Sequence, residues 1–396
     1  MRVGIDLRWL QRAHQNSPEG ALGGMGSVIE NLWRGLGSSA SGITLVGLLN
    51  RGPIAAGFRA LLDATPNAEY HAVGIQELRP ILSRAGRVRN VVRLIESEVR
   101  AALSLDALRL DVVHMTDQTP PPRHFTGASV VTLHALFESI DREGIVSRYL
   151  YGGFRRATRI AAVSQAVAAQ YVKHFDGRSD RVSVVYNGID LSTFKPGPAS
   201  DALKSRFKIP GPYLLHVGVP TSVKNPVGLI SALGRLKREG TCPYLVSVGP
   251  YQNSPSPHFQ RLMRVLAREN DVADKLITLD RGCGPDDLVQ LYRGSLGLLF
   301  PSLEEGFGLP VIESLACGVP CVASQVGGGP EVAGDLGIYV DPYDVDAIAA
   351  GARRLIADTS HRARVAEEGP VRARKFAMES MAADYLKVYR EVAVAR

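Results

Sequence analysis

The chain has 396 residues, of which 45% are hydrophobic and 21% are charged, and its formal net charge is +7. A mean hydropathy of +0.01 fits a globular protein and argues against a disordered one. The length predicts two domains. No apolar run reaches the roughly 20 residues that span a bilayer, and the N-terminus lacks the apolar core of a signal peptide, so we expect a cytoplasmic protein.

Short apolar runs alternate with amphipathic stretches along the chain. The apolar runs predict strands at 2–6, 43–49, 111–115, 129–133, 160–163, 182–186, 213–218, 244–249, 276–279, 296–300, 319–323 and 337–340. The amphipathic stretches predict helices at 26–37, 164–175, 226–239, 257–269, 285–293, 345–357 and 379–393. This alternation is typical of doubly wound parallel sheets in α/β proteins. The proline- and glycine-rich region 190–212 interrupts it and predicts a linker between domains.

Cysteine spacing and charge exclude several classes of protein. The four cysteines are Cys242, Cys283, Cys317 and Cys321. They show neither CxxC spacing nor a histidine cluster, so we expect reduced thiols and no metal site. Residues 1–195 hold 23 Lys and Arg against 17 Asp and Glu, whereas residues 196–396 hold 23 against 22. Because no nucleic-acid-binding motif accompanies the basic half, we expect an anionic membrane surface or an anionic acceptor as its partner and no nucleic acid.

A glycine run at 23–26 precedes a helix predicted to begin near Ser27. Ligands of open parallel sheets bind where strands lead into helices. One interpretation is that Gly24 lets the backbone approach a phosphate or an acceptor. The alternative is a flexible turn without a ligand.

Residues 79–100 have the pattern of a basic amphipathic helix. Apolar residues recur at spacings of three and four from Ile81 to Val99 and predict one apolar stripe. Six arginines in the segment are opposed by two glutamates. Such a helix can lie on an anionic membrane surface. The alternative is an ordinary helix whose apolar stripe packs against a sheet.

Polar side chains end two predicted strands in the first half of the chain. His114 and Asp117 lie at the end of the strand at 111–115, and His134 follows the strand at 129–133. Side chains at these ends can line a ligand crevice. We predict that His114 and Asp117 line the acceptor side. A satisfied core position is the alternative for His134.

The segment 301–313 contains a glycine-rich turn between a predicted strand and a predicted helix. Pro310 suits the first helical turn because its missing N–H would be unpaired there. Gly306 and Gly308 leave the backbone open to close approach by a ligand. The helix N-terminus offers N–H groups and a positive dipole end to an anion such as a diphosphate.

Two carboxylates and a lysine complete this pattern. Glu305 and Glu313 have seven residues between them, and carboxylates accept hydrogen bonds from ribose or sugar hydroxyls. Lys224 follows the predicted strand at 213–218 and would neutralise charge on a phosphate leaving group. The set predicts a nucleotide-sugar site. Solvated charges on an ordinary turn are the alternative.

The string PSLEEGFGLPVIESLACGVPCVAS at 301–324, followed by PEVAGD at 330–335, resembles the Glu-x7-Glu signature of retaining glycosyltransferase family 4. The resemblance implies the GT-B fold, with two Rossmann-like doubly wound domains facing a cleft. It implies an acceptor-binding domain at 1–196, a nucleotide-sugar-binding domain at 197–370, and a C-terminal helix at 371–396 that crosses back onto the first domain.

The resemblance also implies an activity and roles for residues. The activity is metal-independent transfer of a hexose, with retention, from a nucleoside diphosphate to a carbohydrate or lipid-linked saccharide. No cofactor is expected besides the donor. The motifs look most like those of bacterial mannosyltransferases that build surface polysaccharide, so GDP-mannose is the first expectation and a UDP-sugar the second. The resemblance implies that Glu305 binds sugar hydroxyls, Glu313 binds the ribose and Lys224 stabilises the departing diphosphate. It implies that His134 contacts the transferred sugar. The residues implied to orient the donor are Gly24, Gly306, Phe307, Gly308 and Leu309.

The chain departs from the family pattern at two places. The family usually pairs Lys224 with an arginine a few residues earlier, where Val219 and Val223 stand here. Ala135 stands where the family often has an aspartate after His134. A non-catalytic nucleotide-sugar-binding subunit therefore stays open as an alternative, as does a nucleotide-sugar epimerase of the same fold.

Overall fold

The computed structural model describes residues 1–16, 22–39, 42–73, 98–135, 152–175, 178–219, 221–249, 258–279 and 283–394. The chain divides into two compact units. The first unit comprises 1–15, 25–188 and 378–396, and the second comprises 16–24 and 189–377. The main division thus falls at 188/189, eight residues before the sequence-based boundary at 196/197.

The first unit is built on a parallel sheet. Its strands within the described ranges are β1 (Arg2–Asp6), β2 (Thr44–Leu49), β3 (Ala68–Ala72), β4 (Val112–Met115), β5 (Ala128–Leu133), β6 (Arg159–Ala162) and β7 (Val182–Val184). Their order is β3-β2-β1-β4-β5-β6-β7, and each described pairing is parallel. Residues of β5 are buried throughout, as expected for a strand covered on both faces.

The second unit repeats this topology. Its described strands are β8 (Tyr213–Val217), β9 (Tyr244–Val248), β10 (Leu276–Leu279), β11 (Gly297–Phe300), β12 (Cys321–Ser324) and β13 (Gly337–Val340). Their order is β10-β9-β8-β11-β12-β13, again with parallel pairings. In both sheets the first strand lies in the interior and the chain winds outward in both directions, which is the doubly wound arrangement.

Helices cover the faces of both sheets. They are α1 (Arg8–Asn16), α2 (Gly23–Ser39), α3 (Ala56–Asp63), α4 (Gln165–Phe175), α5 (Asp201–Arg206), α6 (Pro226–Arg238), α7 (His258–Glu269), α8 (Pro285–Gly294), α9 (Leu309–Ala316), α10 (Gly329–Ala333), α11 (Val345–Ala357), α12 (Thr359–Ala373) and α13 (Met378–Val394). The core of the second unit lies where α6, α7 and α11 pack on the sheet, with Leu229, Leu233 and Leu355 fully buried. The C-terminal helix α13 belongs to the first unit and packs against β4 and β5.

The predicted doubly wound architecture is confirmed, and each predicted strand is present within two residues. The sequence analysis missed β3 because it lies at the sheet edge, where partial exposure removes the need for an apolar run. It also missed the helices α1, α3, α5, α10 and α12. Most of the predicted amphipathic segment 79–100 lies outside the described ranges. Residues 98–107 are helical.

The described residues lack two features. Among them, the structure has no helix that is both long enough and apolar enough to cross a membrane. In the same ranges, no group of three or more His, Cys, Asp or Glu side chains is arranged to hold a metal ion.

Candidate functional site

Two loops leave the second sheet at the point where its strand order reverses. The neighbours β8 and β11 lie there, and the chain continues from them in opposite directions across the sheet. Ligands of doubly wound sheets bind outside the carboxyl ends of the strands at such a point. Lys224 lies in the loop after β8, and Glu305 lies in the loop after β11. The topology therefore brings together two residues that are 81 positions apart.

Lys224 and Glu305 form a direct ion pair. The Lys224 Nζ lies 2.5 Å from the Glu305 Oε2, and the two side chains are 22% and 17% exposed. The Lys224 Nζ also lies 4.6 Å from the centre of the Phe300 ring, a favourable position for a cation over an aromatic face. The backbone N–H of Leu303 donates to the Val223 carbonyl at 2.8 Å and ties the two loops together. The Lys224 ammonium and a carboxylate that can accept hydrogen bonds from hydroxyl groups thus lie side by side, and both are partly exposed to solvent.

His216 lies beneath this pair on β8. Its ring is 1% exposed and stacks on Phe300, with 6.2 Å between the ring centres. Burial is the main cause that lowers the pKa of His216 to about 4, and the nearby Lys224 charge lowers it further. The neutral ring donates from Nδ1 to the Leu299 carbonyl at 3.3 Å, and Nε2 has no hydrogen-bond partner among the described residues. His216 therefore adds no positive charge to the site at neutral pH.

A second glycine run holds the loop that carries Glu305. The Gly328 N–H donates to the Glu305 carbonyl at 3.1 Å. Gly327 has φ +79°, and a Cβ added there would collide with the Glu305 carbonyl oxygen. A Cβ added to Gly328 would lie 2.5 Å from the Gly306 oxygen. The two backbones approach so closely that only glycine fits at 327 and 328.

The loop ends at the N-terminus of α9. Gly308 has φ 101° and ψ 53°, a left-handed conformation that glycine adopts without a steric penalty, and Pro310 lies in the first helical turn. Because the N-cap residue is Gly308, it has no side chain that could cap this end. The first turn therefore keeps a positive dipole end where an anion is stabilised.

Glu313 differs from Glu305 in its environment. It lies on the second turn of α9 and is 9% exposed. Its Oε2 accepts a hydrogen bond from the Tyr292 hydroxyl at 2.8 Å. Burial raises the pKa of Glu313 to about 7, although the Tyr292 hydrogen bond opposes the rise. Of the two carboxylates of the signature, Glu305 thus forms a partly exposed ion pair with Lys224. Glu313 is a buried acid that is partly protonated at neutral pH.

Gly24 groups with the second unit, as do the other residues of 16–24. A Cβ added at Gly24 would lie 3.4 Å from the Leu309 Cδ1. The structure thus places Gly24 beside the first residue of α9.

His134 lies at the carboxyl end of β5 in the first unit. Its Nε2 donates to the Thr116 carbonyl at 2.7 Å, and burial lowers the pKa of His134 to about 4. The ring is therefore neutral, with Nδ1 as the unprotonated nitrogen. The backbone N–H groups of His134 and Ala135 both donate to the Gln118 Oε1, at 3.1 and 2.8 Å. Gln118 fixes the chain where the family often has an aspartate.

The prediction that His114 lines the acceptor side is wrong. His114 is fully buried between β4, β5 and α13. One ring nitrogen lies 2.7 Å from the Tyr389 hydroxyl and the other 2.7 Å from the Thr132 hydroxyl. The Tyr385 hydroxyl also bonds to Thr132, at 2.6 Å. These contacts join α13 to the sheet, so His114 has a structural role.

Asp117 lies beside a buried ion pair in the first unit. The Arg8 guanidinium contacts the Asp6 carboxylate at 2.6 Å, and the two side chains are 5% and 2% exposed. Burial and the Asp6 charge raise the pKa of Asp117. The Asp117 Oδ1 accepts the Thr119 N–H at 3.2 Å. Asp117 is thus partly exposed, whereas the neighbouring Asp6 and Arg8 are buried.

Sequence reasoning missed the residues that support the site. His216 was read as part of a strand, and Tyr292 had no local signal because its partner Glu313 is 21 positions away. The run Gly327-Gly328-Gly329 was a visible signal, since three consecutive glycines before a proline indicate a backbone that must approach another closely.

Family models match both halves of the chain. Residues 22–193 match the model described as Glycosyltransferase Family 4, and residues 201–372 match the model described as Glycosyl transferases group 1. The second range contains Lys224, Glu305 and Glu313. The chain belongs to the family 4 glycosyltransferases.

Curated relatives match part of this chain. The D-inositol 3-phosphate glycosyltransferase of Thermobifida fusca is 33% identical over 242 residues, which is 59% of this chain and 55% of the relative. The O-antigen chain mannosyltransferase B of Escherichia coli is 30% identical over 255 residues, which is 63% of this chain and 65% of the relative. The matches therefore span between half and two thirds of the length of these relatives.

Solved structures resemble this chain along its whole length. Sucrose-phosphate synthase from Thermosynechococcus elongatus matches with a TM-score of 0.77 at 18% identity, covering 100% of both chains. The Anabaena protein HepE, in complex with UDP and glucose, matches with a TM-score of 0.72 at 17% identity, covering 99% of this chain and 100% of the other. At such identities the likeness shows the fold alone, which is GT-B.

Proposed function

We propose that the protein transfers a hexose from a nucleoside diphosphate donor to a hydroxyl of a carbohydrate or lipid-linked saccharide, with retention at the anomeric carbon. The observation that carries the proposal is the meeting of Lys224 and Glu305, 2.5 Å apart at the carboxyl ends of β8 and β11. The helix α9 begins four residues after Glu305, and the buried Glu313 lies one turn further on. Pyrophosphate, sugar and ribose each have a suitable partner in this arrangement.

Each side chain has a defined task in the proposed reaction. The Lys224 ammonium and the α9 N-terminus stabilise the diphosphate as it leaves, because positive charge is placed where negative charge develops. Glu305 accepts hydrogen bonds from sugar hydroxyls, and Glu313 accepts them from the ribose. For His134, contact with the transferred sugar stays a prediction. Because Lys224 already bonds to Glu305, a bound donor must share or replace that contact.

The proposed chemistry places no divalent ion on the diphosphate. A lysine and a helix N-terminus can supply the positive charge that an ion would otherwise provide. Turnover is therefore expected to persist in excess EDTA. Loss of turnover that added Mg²⁺ or Mn²⁺ restores would contradict this part of the proposal.

Donor binding is tested by thermal shift with GDP, UDP, ADP and dTDP, since a ligand that binds the folded state raises its stability by RT ln(1 + [L]/Kd). We expect GDP to give the largest shift and UDP the next, because one relative is named a mannosyltransferase. The identified nucleotide then selects the sugar donor for turnover assays.

Turnover is tested with the selected donor in the wild type and in Glu305→Gln. We expect Glu305→Gln to lose transfer while it remains folded. NMR of the product should show the anomeric configuration of the donor. Full activity in Glu305→Gln would refute the site. Release of an epimer from donor alone would identify an epimerase instead, and tight donor binding without any turnover would identify a binding subunit.

The basic segment 79–100 extends the proposal to membranes. Its arginine-rich amphipathic pattern would bind anionic lipid headgroups and bring the site to a lipid-linked acceptor. Co-sedimentation with phosphatidylglycerol vesicles, but not with phosphatidylcholine vesicles, is the expected result. Equal binding to both, or to neither, would remove the membrane from the proposal.

A further inference from the structure

The side chain of Asn225 makes three hydrogen bonds at the site. The residue directly follows Lys224, has φ 53° and ψ 52°, and is 7% exposed. Its Oδ1 accepts the Gly228 N–H at 3.0 Å and caps α6. Its Nδ2 donates to the Pro301 carbonyl at 3.2 Å and to the Pro342 carbonyl at 2.6 Å. The buried amide thus has both its oxygen and its nitrogen hydrogen-bonded.

These bonds join three loops at the carboxyl edge of the second sheet. Pro301 directly follows β11, Pro342 follows β13, and Asn225 itself lies after β8. The partners are 76 and 117 residues from Asn225 in the chain. One side chain therefore fixes the start of the Glu305 loop relative to the residue that follows Lys224.

We infer that Asn225 is a positioning residue that holds Lys224 in register with the loop of Glu305 for pyrophosphate binding. The inference rests on the proposed function, because it concerns the same donor site. Few residue types meet the requirements of this position. Asparagine tolerates the left-handed conformation and supplies one acceptor and two donor hydrogens. Aspartate would supply no donor for the two carbonyls, and glycine would supply no side chain.

The consequence is specific to the diphosphate. A charged hydrogen bond depends on distance and angle, so a lysine released from its register binds the terminal phosphate less well. The nucleoside itself does not contact Lys224 in the proposed arrangement. Loss of Asn225 should therefore weaken nucleoside diphosphate binding more than nucleoside monophosphate binding.

The test uses Asn225→Gly, which keeps a residue suited to φ 53° and removes the tether. Asn67→Gly is the matched control, since Asn67 has φ 54° and is exposed in the first unit. Calorimetry measures the Kd for GDP and GMP, and for UDP and UMP. We expect Asn225→Gly to reduce the preference for diphosphate over monophosphate by about tenfold, the worth of one charged hydrogen bond. Asn67→Gly should leave the preference unchanged.

A double-mutant cycle with Lys224→Met separates positioning from a general loss of structure. If Asn225 acts through Lys224, its substitution has little further effect on the diphosphate preference once Lys224 is gone. An additive effect, or an equal loss for mono- and diphosphate in folded Asn225→Gly, would overturn the inference. If Asn225→Gly does not fold, Asn225→Asp gives the same measurement, because it keeps the cap on α6 but loses the two donations.

The two proposals fail in different ways. A wild type that binds none of these nucleotides refutes the proposed function. A wild type that prefers the diphosphate, together with an Asn225→Gly protein that keeps the full preference, refutes the role of Asn225 and leaves the proposed function standing.

Discussion

The first six strands of the two sheets have the same order, and each sheet has an ion pair near its carboxyl edge, but the two pairs differ in exposure. Asp6 and Arg8 in the first unit are 2.6 Å apart and 2% and 5% exposed. Glu305 and Lys224 in the second are 2.5 Å apart and 17% and 22% exposed. Distance does not distinguish them. The first pair is sealed within the protein, whereas the second can exchange its partner for a ligand.

We expect this difference in exposure to separate an ion pair that stabilises the fold from one that can bind a ligand. A buried charge that loses its partner has no water to replace it, so the sealed pair is expected to matter for folding. A partly exposed pair contributes little to stability because water and salt compete with it. Its charges remain available for a substrate. Matched substitutions in the two pairs should therefore give opposite results.

The largest expected effect is on stability, from Asp6→Asn. The Asp6 carboxylate accepts hydrogen bonds from the Arg8 Nε at 2.8 Å and from the Arg8 backbone N–H at 3.1 Å, in addition to the ion pair. Removing its charge should lower the free energy of unfolding by about 3–5 kcal/mol. Glu305→Gln is the matched control and should cost less than about 1 kcal/mol. Urea denaturation measures both, and equal costs would contradict the comparison.

The next effect is on turnover, from Lys224→Met. Methionine keeps an unbranched apolar stem over Phe300 and removes the ammonium. Turnover should fall by about 100- to 1,000-fold, the usual consequence of removing one group that stabilises transition-state charge. The free energy of unfolding should change by less than about 1 kcal/mol. Steady-state kinetics with the donor found by thermal shift provides the measurement, and turnover within a few-fold of the wild type would exclude Lys224 from the reaction.

Local sequence predicted the parts of the site whose signal is contiguous. Glu305, Gly308, Pro310 and Glu313 lie within one short segment, where their spacing alone predicts a loop and a helix N-terminus. Lys224 was found because it follows a strand that begins a new sheet. The architecture was predictable for the same reason, since buried parallel strands are apolar runs and the helices between them are amphipathic.

Residues whose roles depend on distant partners could not be predicted in this way. Asn225 meets a carbonyl 117 positions away, and nothing next to it in the chain indicates that partner. His114 was misread because a histidine at a strand end looks the same in sequence whether or not a helix covers it. Here α13, more than 260 residues later, supplies that cover.

The two family carboxylates offer a third comparison, through Glu313→Gln. The pKa of Glu313 is raised to about 7 in the folded protein from an ordinary 4.5. The folded state therefore holds the proton more tightly than the unfolded state, so the wild type loses stability as pH rises from 4.5 through 7. Glutamine has no proton to lose. The free energy of unfolding of the variant should therefore rise relative to that of the wild type over this range, by about 3 kcal/mol above pH 7.

Chemical denaturation at several pH values between 4 and 8 measures this difference. A constant difference between Glu313→Gln and the wild type would mean that Glu313 is not buried as an acid.

The smallest expected effect concerns the helix α13 and comes from Tyr389→Phe. The Tyr389 hydroxyl is 2.7 Å from a buried His114 nitrogen, and its removal leaves that nitrogen without this partner. The free energy of unfolding should fall by about 1–3 kcal/mol, the cost of one unsatisfied buried polar group. Tyr343→Phe is the control, because Tyr343 is 76% exposed and its hydroxyl can be replaced by water. Nucleotide affinity should be unchanged in both variants, because this contact fixes the helix to the first sheet and the proposed donor residues lie on the second. A loss of nucleotide affinity in folded Tyr389→Phe would show that a contact on the first sheet affects nucleotide binding. That result would contradict the comparison of the two ion pairs.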